Sequence, residues 1–183
     1  MLIDITLKIT PEMIENASSK PELKGHLGTH FDVMEQEFPL GYTEREGIVF
    51  DVSGVTDRDI ALSDIDIDRV GKGMFVAFYT GFVERVGYDG EGYFKLHPQL
   101  THELIDALVD RGVSILALDF AGVRRGKEHT RMDRYCAEHG TFVVENLCGL
   151  KAVLDAGGRF IAHTYPMNCI GISGLPCRVV AEL

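Results

Sequence analysis

"LTHELIDALVDRGVSILALDF", Leu100 to Phe120, holds the change of period that decides the fold. Leu104, Ile105, Leu108 and Val109 recur at helical spacing, with Thr101 placed as an N-cap and Gly112 as a stop. Val113 to Phe120 then runs apolar, which reads as a buried strand. The same alternation continues downstream. Lys127 to Gly140 reads as a helix, Thr141 to Leu147 as a strand, "LKAVLDAGG" as a short helix and Pro176 to Leu183 as a last strand. Upstream the chain is richer in β-formers. Leu2 to Thr10 alternates apolar and polar residues, and Gly47 to Ser53 and Met74 to Phe82 are short strand-like runs. Tyr88 lies in a glycine-rich loop, Gly87 to Phe94, that has neither a dinucleotide fingerprint nor a P-loop lysine. The expectation is an α/β domain with mixed sheets, helices packed outside and β-β-α layering. No repeat or linker interrupts it, so residues 1–183 read as a single domain.

Composition narrows the function. A formal net charge of -10 argues against a duplex-binding protein, which carries a basic footprint, so no nucleic-acid partner is expected. No window approaches the roughly 20 apolar residues of a membrane span. The first residues lack the basic start and apolar run of a secretory signal. A cytoplasmic protein follows, with no membrane partner. Its four cysteines, Cys136, Cys148, Cys169 and Cys177, are expected as reduced thiols, because none forms a C-x-x-C pair.

The chemistry concentrates in "GHLGTHFDVMEQE", Gly25 to Glu37. On a strand, His26, His30 and Asp32 share a face, since side chains repeat every two residues. His30 and Asp32 are then close enough for one ion, but at about 3.3 Å per residue His26 lies about 13 Å from His30. A bend is required, and Gly28 is the residue able to supply it. Imidazole with carboxylate suits zinc, iron or manganese. Two histidines four apart also arise by chance in a polar loop, so a further ligand matters. Glu145, at the end of an apolar strand, is one candidate, because a carboxylate rarely sits there unpaired. His129 and Asp133, four apart on a helix, are another.

Other features read as structural. "DIDID", Asp64 to Asp68, starts like a calcium loop, but Arg69 and Phe75 stand where an EF-hand needs glycine and glutamate. A surface strand with Ile65 and Ile67 facing inward is expected instead. His97, His102, His139 and His163 read as solvated or capping residues. Arg178 reads as paired within the fold, and Asp119 as either functional or a loop cap.

The motifs together resemble a known family. "HLGTHFD" is similar to the H-x-G-T-H-x-D core of a cyclase family of metal-dependent hydrolases that includes bacterial kynurenine formamidase and isatin hydrolase. "LIDITLKIT", "LTHELIDALVDRGVSILALDF", "FVVENLCGL" and "YPMNCIGISGLPCRVVAEL" resemble its other segments, in family order along nearly the whole chain. The resemblance implies a swivelling β/β/α fold and one or two divalent ions, zinc or manganese. It places His26, His30, Asp32 and Glu145 at the metal. Asp133 stands where two-metal members take a further histidine, with His129 one helical turn earlier. It also implies an amide or ester hydrolase, acting on a small molecule that is possibly cyclic, and a homo-oligomer. Its D-x-P-x-H continuation is missing: Met34 replaces the proline and Gln36 the proton-shuttling histidine. Gln36 and Glu35 are therefore the candidate catalytic positions, although an amide does not titrate near neutral pH. The chain has no tryptophan, which argues against kynurenine formamidase activity itself. The rival expectation is a metal- or ligand-binding member of the same fold without catalysis.

Overall fold

The buried strands of this chain feed two hydrophobic layers at once. The computed structural model describes residues 1–7, 25–169 and 171–183. Within them the strands are β1 (Leu2–Asp4), β2 (His30–Asp32), β3 (Glu44–Asp51), β4 (Phe75–Tyr79), β5 (Ile115–Leu118), β6 (Phe142–Glu145), β7 (Arg159–Thr164), β8 (Gly174–Pro176) and β9 (Val179–Glu182). They form one mixed sheet in the order β1-β9-β7-β3-β4-β5-β6-β2-β8. The run β3, β4, β5, β6 is parallel and every other pairing is antiparallel.

Alternation sorts the central side chains. Ile48 and Phe50, Val76 and Phe78, and Leu116 and Leu118 enter one layer. Val49, Phe75 and Ala77, Ile115 and Ala117, and Val144 enter the other. Parallel strands covered on both faces read as unbroken apolar runs, which is why they were visible in sequence. Helix His102–Asp110 seals the first layer with Leu104, Ile105, Leu108 and Val109, and helix Leu150–Asp155 places Leu150 and Val153 in the second. The Thr101 hydroxyl oxygen accepts from the Leu104 amide at 3.3 Å, the expected N-cap. The mixed-sheet α/β expectation is met. No helix among the described residues is long and apolar enough to cross a membrane.

Several local expectations are corrected. Lys8 to Thr10 of the first expected strand lie outside the described residues. "DIDID" is not a strand: it falls across two 3-10 turns, Leu62–Asp64 and Ile67–Arg69. There the Asp64 carboxylate accepts from the Ala61 amide and from Arg58, and the Asp66 carboxylate from the Asp68 amide, so aspartates that cap turns override the alternation. Tyr93–Leu96, which overlaps the end of the expected glycine-rich loop, forms a helical turn. Strands β7 and β8 had no sequence expectation. Asp119 is a loop cap: its carboxylate accepts from the Thr80 amide, the Thr80 hydroxyl and the Gly81 amide at 2.6–2.8 Å. Arg178 pairs with Asp4 at 2.7 Å. His163 pairs with Glu182 at the far side of the sheet.

His97 is not solvated. It is 1% exposed and stacks on Phe120. Its Nδ1 lies 2.7 Å from the Pro98 carbonyl, which only accepts, so Nδ1 carries the hydrogen and Nε2 is left bare. Burial pushes the imidazole down to about 4, against an attraction from the Pro98 carbonyl. A base depressed in the folded state is protonated first in the unfolded state. The stability it contributes is therefore present above the unfolded value near 6.5 and is lost as pH falls toward 4. The loss is expected to be on the order of 3 kcal/mol. Urea unfolding of the parent and of His97→Gln at pH 7 and pH 4.5 checks it: the variant's stability should fall less on acidification than the parent's.

Candidate metal centre

Strand β2 lies between β6 and β8, and the register sets His30 opposite Glu145 on one side and Pro176 on the other. His30 and Asp32 share a face of β2. Gly28, at φ +65°, turns the preceding chain back on itself, a conformation glycine adopts without cost. His26 thereby returns over the strand, with Nδ1 3.0 Å from the Asp32 Oδ1 and its ring edge-on to His30 at 4.8 Å. The kink expected from the sequence is present.

The turn is held by its own carbonyl. Gly28 O accepts from the His30 Nδ1 and from the Asn146 Nδ2, both at 2.9 Å. With Nδ1 fixed as the donor, the bare Nε2 of His30 faces Asp32 at 3.6 Å and Glu145 at 3.7 Å. Asn146, left-handed at φ +60°, also accepts from the Tyr93 hydroxyl at 2.8 Å, and its own carbonyl accepts from Thr29. His26 Nε2 lies 2.9 Å from the Ser173 hydroxyl. Outer contacts of this kind orient ligands and tune their basicity.

A second group forms beside the first. Helix His129–Glu138 begins at His129, whose Nε2 is 3.3 Å from the Asp133 Oδ2 one turn on, and 3.6 Å from the Glu145 Oε1. Gly122 makes room: a Cβ there would stand 2.6 Å from the His129 ring. His26, His30 and Asp32 form one set, and His129, Asp133 and Glu145 the other, each with candidate ligand atoms within 4.8 Å of one another. Glu145 spans them, Oε2 toward His30 and Oε1 toward His129.

The electrostatics fit cations. Both oxygens of Asp32, both of Asp133 and the Oε1 of Glu145 are buried without a hydrogen bond of good geometry among the described residues. Burial drives the Asp133 and Glu145 carboxyls well above their ordinary range, and the charge on Asp32 adds to it. Burial also acts upward on Asp32, but the His30 and His26 imidazoles outweigh it and hold that carboxyl below its usual value. Burial pushes His129 down. Clustered carboxylates with their oxygens turned inward are costly unless a cation completes them. The donor chemistry, imidazole with carboxylate, suits zinc or manganese.

The groups open on a cavity of about 740 Å³, with Leu27, Met34, Tyr88, Phe94 and Ala121 on its wall. Beyond Asp32 the chain makes a tight turn in which the Gln36 amide donates to Val33 O at 2.8 Å. Met34 and Glu35 are both left-handed there, at φ +46° and +65°. Glu35 lines the cavity, and its Oε2 accepts from Arg134 Nη1 at 2.8 Å. Gln36 is exposed and is not among the lining residues, because the turn carries it past the rim. Tyr165 is 66% exposed and also off the cavity. Sequence reasoning missed Asn146, Thr29, Ser173 and Arg134. Only Asn146, a polar residue directly after Glu145 at a strand end, carried a local signal.

A family model described as Putative cyclase matches residues 3–124. A solved structure described as a potential metal-dependent hydrolase with cyclase activity superposes with a TM-score of 0.78 at 23% identity, over 99% of this chain and 96% of that one. Isatin hydrolase A from Labrenzia aggregata, bound to benzyl benzoate, gives 0.75 at 16% identity, over 99% and 93%. An isatin hydrolase bound to the product analogue thioisatinate gives 0.76 at 17%, over 98% and 91%. At these identities the likeness is one of fold. No curated protein matches the chain.

Proposed function

The chain belongs to the Putative cyclase family of enzymes, and from that premise we propose that it is a divalent-metal-dependent hydrolase that opens an amide or ester bond, cyclic ones included, in a small molecule. One observation carries the reading: Asp32, Asp133 and Glu145 turn buried carboxylate oxygens toward three imidazoles beside a cavity. His26, His30 and Asp32 would hold one ion, zinc or manganese, and His129, Asp133 and Glu145 a second. When bound, such an ion supplies Lewis acidity, polarising a carbonyl and bringing the pKa of water toward about 7.

The chain's own groups do the rest. The Gly28 carbonyl fixes the His30 tautomer, and Ser173 meets the outer nitrogen of His26. Leu27, Met34 and Phe94 present apolar surface to the substrate and exclude water. Glu35 is the lining carboxylate on the turn that follows the ligand strand, outside both ligand sets. We assign it the proton that the family's histidine would carry. Glu35→Gln is expected to cut kcat about 100-fold with metal content unchanged, within the range of general acid–base effects. Steady-state rates and elemental analysis on the same preparation check it.

The same reading takes the protein to act in the cytoplasm as a homo-oligomer, without nucleic-acid or membrane partners; the acidic chain supports the first of those absences. The rival, a metal-binding member without turnover, is favoured by the position of Gln36 alone. Elemental analysis of untagged protein, with hydrolysis of a panel of formamides, lactams and lactones, separates the two. Stoichiometric metal without turnover would support the rival, and the absence of metal would overturn both.

A further inference from the structure

The helix that carries His129 and Asp133 also brings a guanidinium to the cavity. Arg134 follows Asp133 directly and lines the cavity with Glu35. Among the described lining residues it is the sole lysine or arginine. It is engaged through one nitrogen: Nη1 donates to Glu35 Oε2, while Nε and Nη2 donate to no described residue. Among the described residues, half of a planar fork suited to two parallel hydrogen bonds with a carboxylate is therefore without a partner.

The partner is easily given up. Arg134 and Glu35 are 44% and 47% exposed at the side chain, and an exposed pair of this kind adds little to stability. Nor does the pair hold the turn in place. The amides of Val33 and Met34 donate to Ser173 O, and that of Glu35 to Ile172 O. The left-handed backbone at Met34 and Glu35 is thus secured by main-chain bonds, which leave the Glu35 side chain at the rim whether or not Arg134 is paired. Strained non-glycine backbone of this sort collects at functional sites.

From this geometry we propose that Arg134 is the specificity residue for an anionic group on the substrate. It takes up a carboxylate in exchange for Glu35, at the cavity wall that these two residues share. The proposal rests on the hydrolase reading of the cavity. A carboxylate-bearing substrate is fixed at two points, and its docking frees the Glu35 carboxylate as it arrives.

The test uses the metal-loaded protein and two probe sets. The first is formanilide against its 2-, 3- and 4-carboxylate derivatives, read as kcat/KM. The parent should favour at least one carboxylate isomer, and Arg134→Gln should lower the anionic-to-neutral ratio about 10–100-fold, the range of a charge-assisted hydrogen bond. Arg134→Lys should restore part of it. The second is calorimetric binding of benzoate against benzamide, which needs no turnover, and the benzoate preference should fall in the same variant. Hydrolysis with an unchanged ratio in Arg134→Gln overturns the anion site and leaves the hydrolase reading standing. No hydrolysis of any probe, with benzoate binding weakened at least tenfold in that variant, supports the anion site and counts against the hydrolase reading. Benzoate binding unchanged in that variant overturns the anion site whatever the turnover.

Discussion

Asp32→Asn is expected to remove stoichiometric metal from the His26–His30 set and to lower hydrolysis by roughly 10³-fold or more. Changes to groups behind a ligand cost about 10–100-fold in affinity or activity, and Asp32 stands in front of them. The amide keeps the shape of the side chain but replaces one acceptor oxygen with a donor and removes the charge. The metal-free fold should survive. The substitution takes away an attraction to His26 and His30 and a repulsion with Asp133 and Glu145, and these oppose one another. Elemental analysis, rates on the probe panel and thermal unfolding of chelated parent and variant check the three parts. A variant that retains the parent's metal and rate would remove Asp32 from the centre.

Loading with zinc or manganese is expected to raise the melting temperature by roughly 8–16 °C over chelated protein. Binding to the folded state at a free concentration about 1,000 times the dissociation constant adds about 4 kcal/mol. For a domain of this size each kcal/mol moves the midpoint by about 2–4 °C. The direction follows from the inward carboxylates, which repel one another in the bare protein and attract a shared cation. Thermal unfolding with each metal and with a chelator checks it, and magnesium serves as the comparison, since its preference for oxygen ligands and retained water suits three imidazoles poorly. Coincident curves with and without zinc or manganese would dismiss a metal centre.

Much of this centre is legible in the sequence. The H-x-x-x-H-x-D spacing failed as a straight strand by a computable distance, and glycine was the residue able to repair it; Gly28 does so. Glu145 stood out because an acid at the end of an apolar strand asks for a partner, and the helical spacing of His129 and Asp133 placed them on one face. What stayed hidden depends on contacts distant in sequence. The His26–Ser173 contact joins residues from opposite ends of the chain, and the Glu35–Arg134 pair needs the β2–β6 register before it exists. Gln36 was placed by motif position, and one left-handed turn moved it off the cavity. The strand read into "DIDID" gave way to turns because aspartate side chains capture backbone amides, a local competition that a hydrophobic pattern does not display.

Strand β2 contributes only residues 30–32, and its two neighbours in the sheet, β6 and β8, come from residues 142–145 and 174–176. A nascent chain carrying the histidine motif therefore emerges long before the strands that clamp it. Such distant pairings are slow to close, since loop entropy is spent before any contact repays it. Cation uptake should accordingly behave as a clock for the last stage of folding, starting when the β2 ladder shuts.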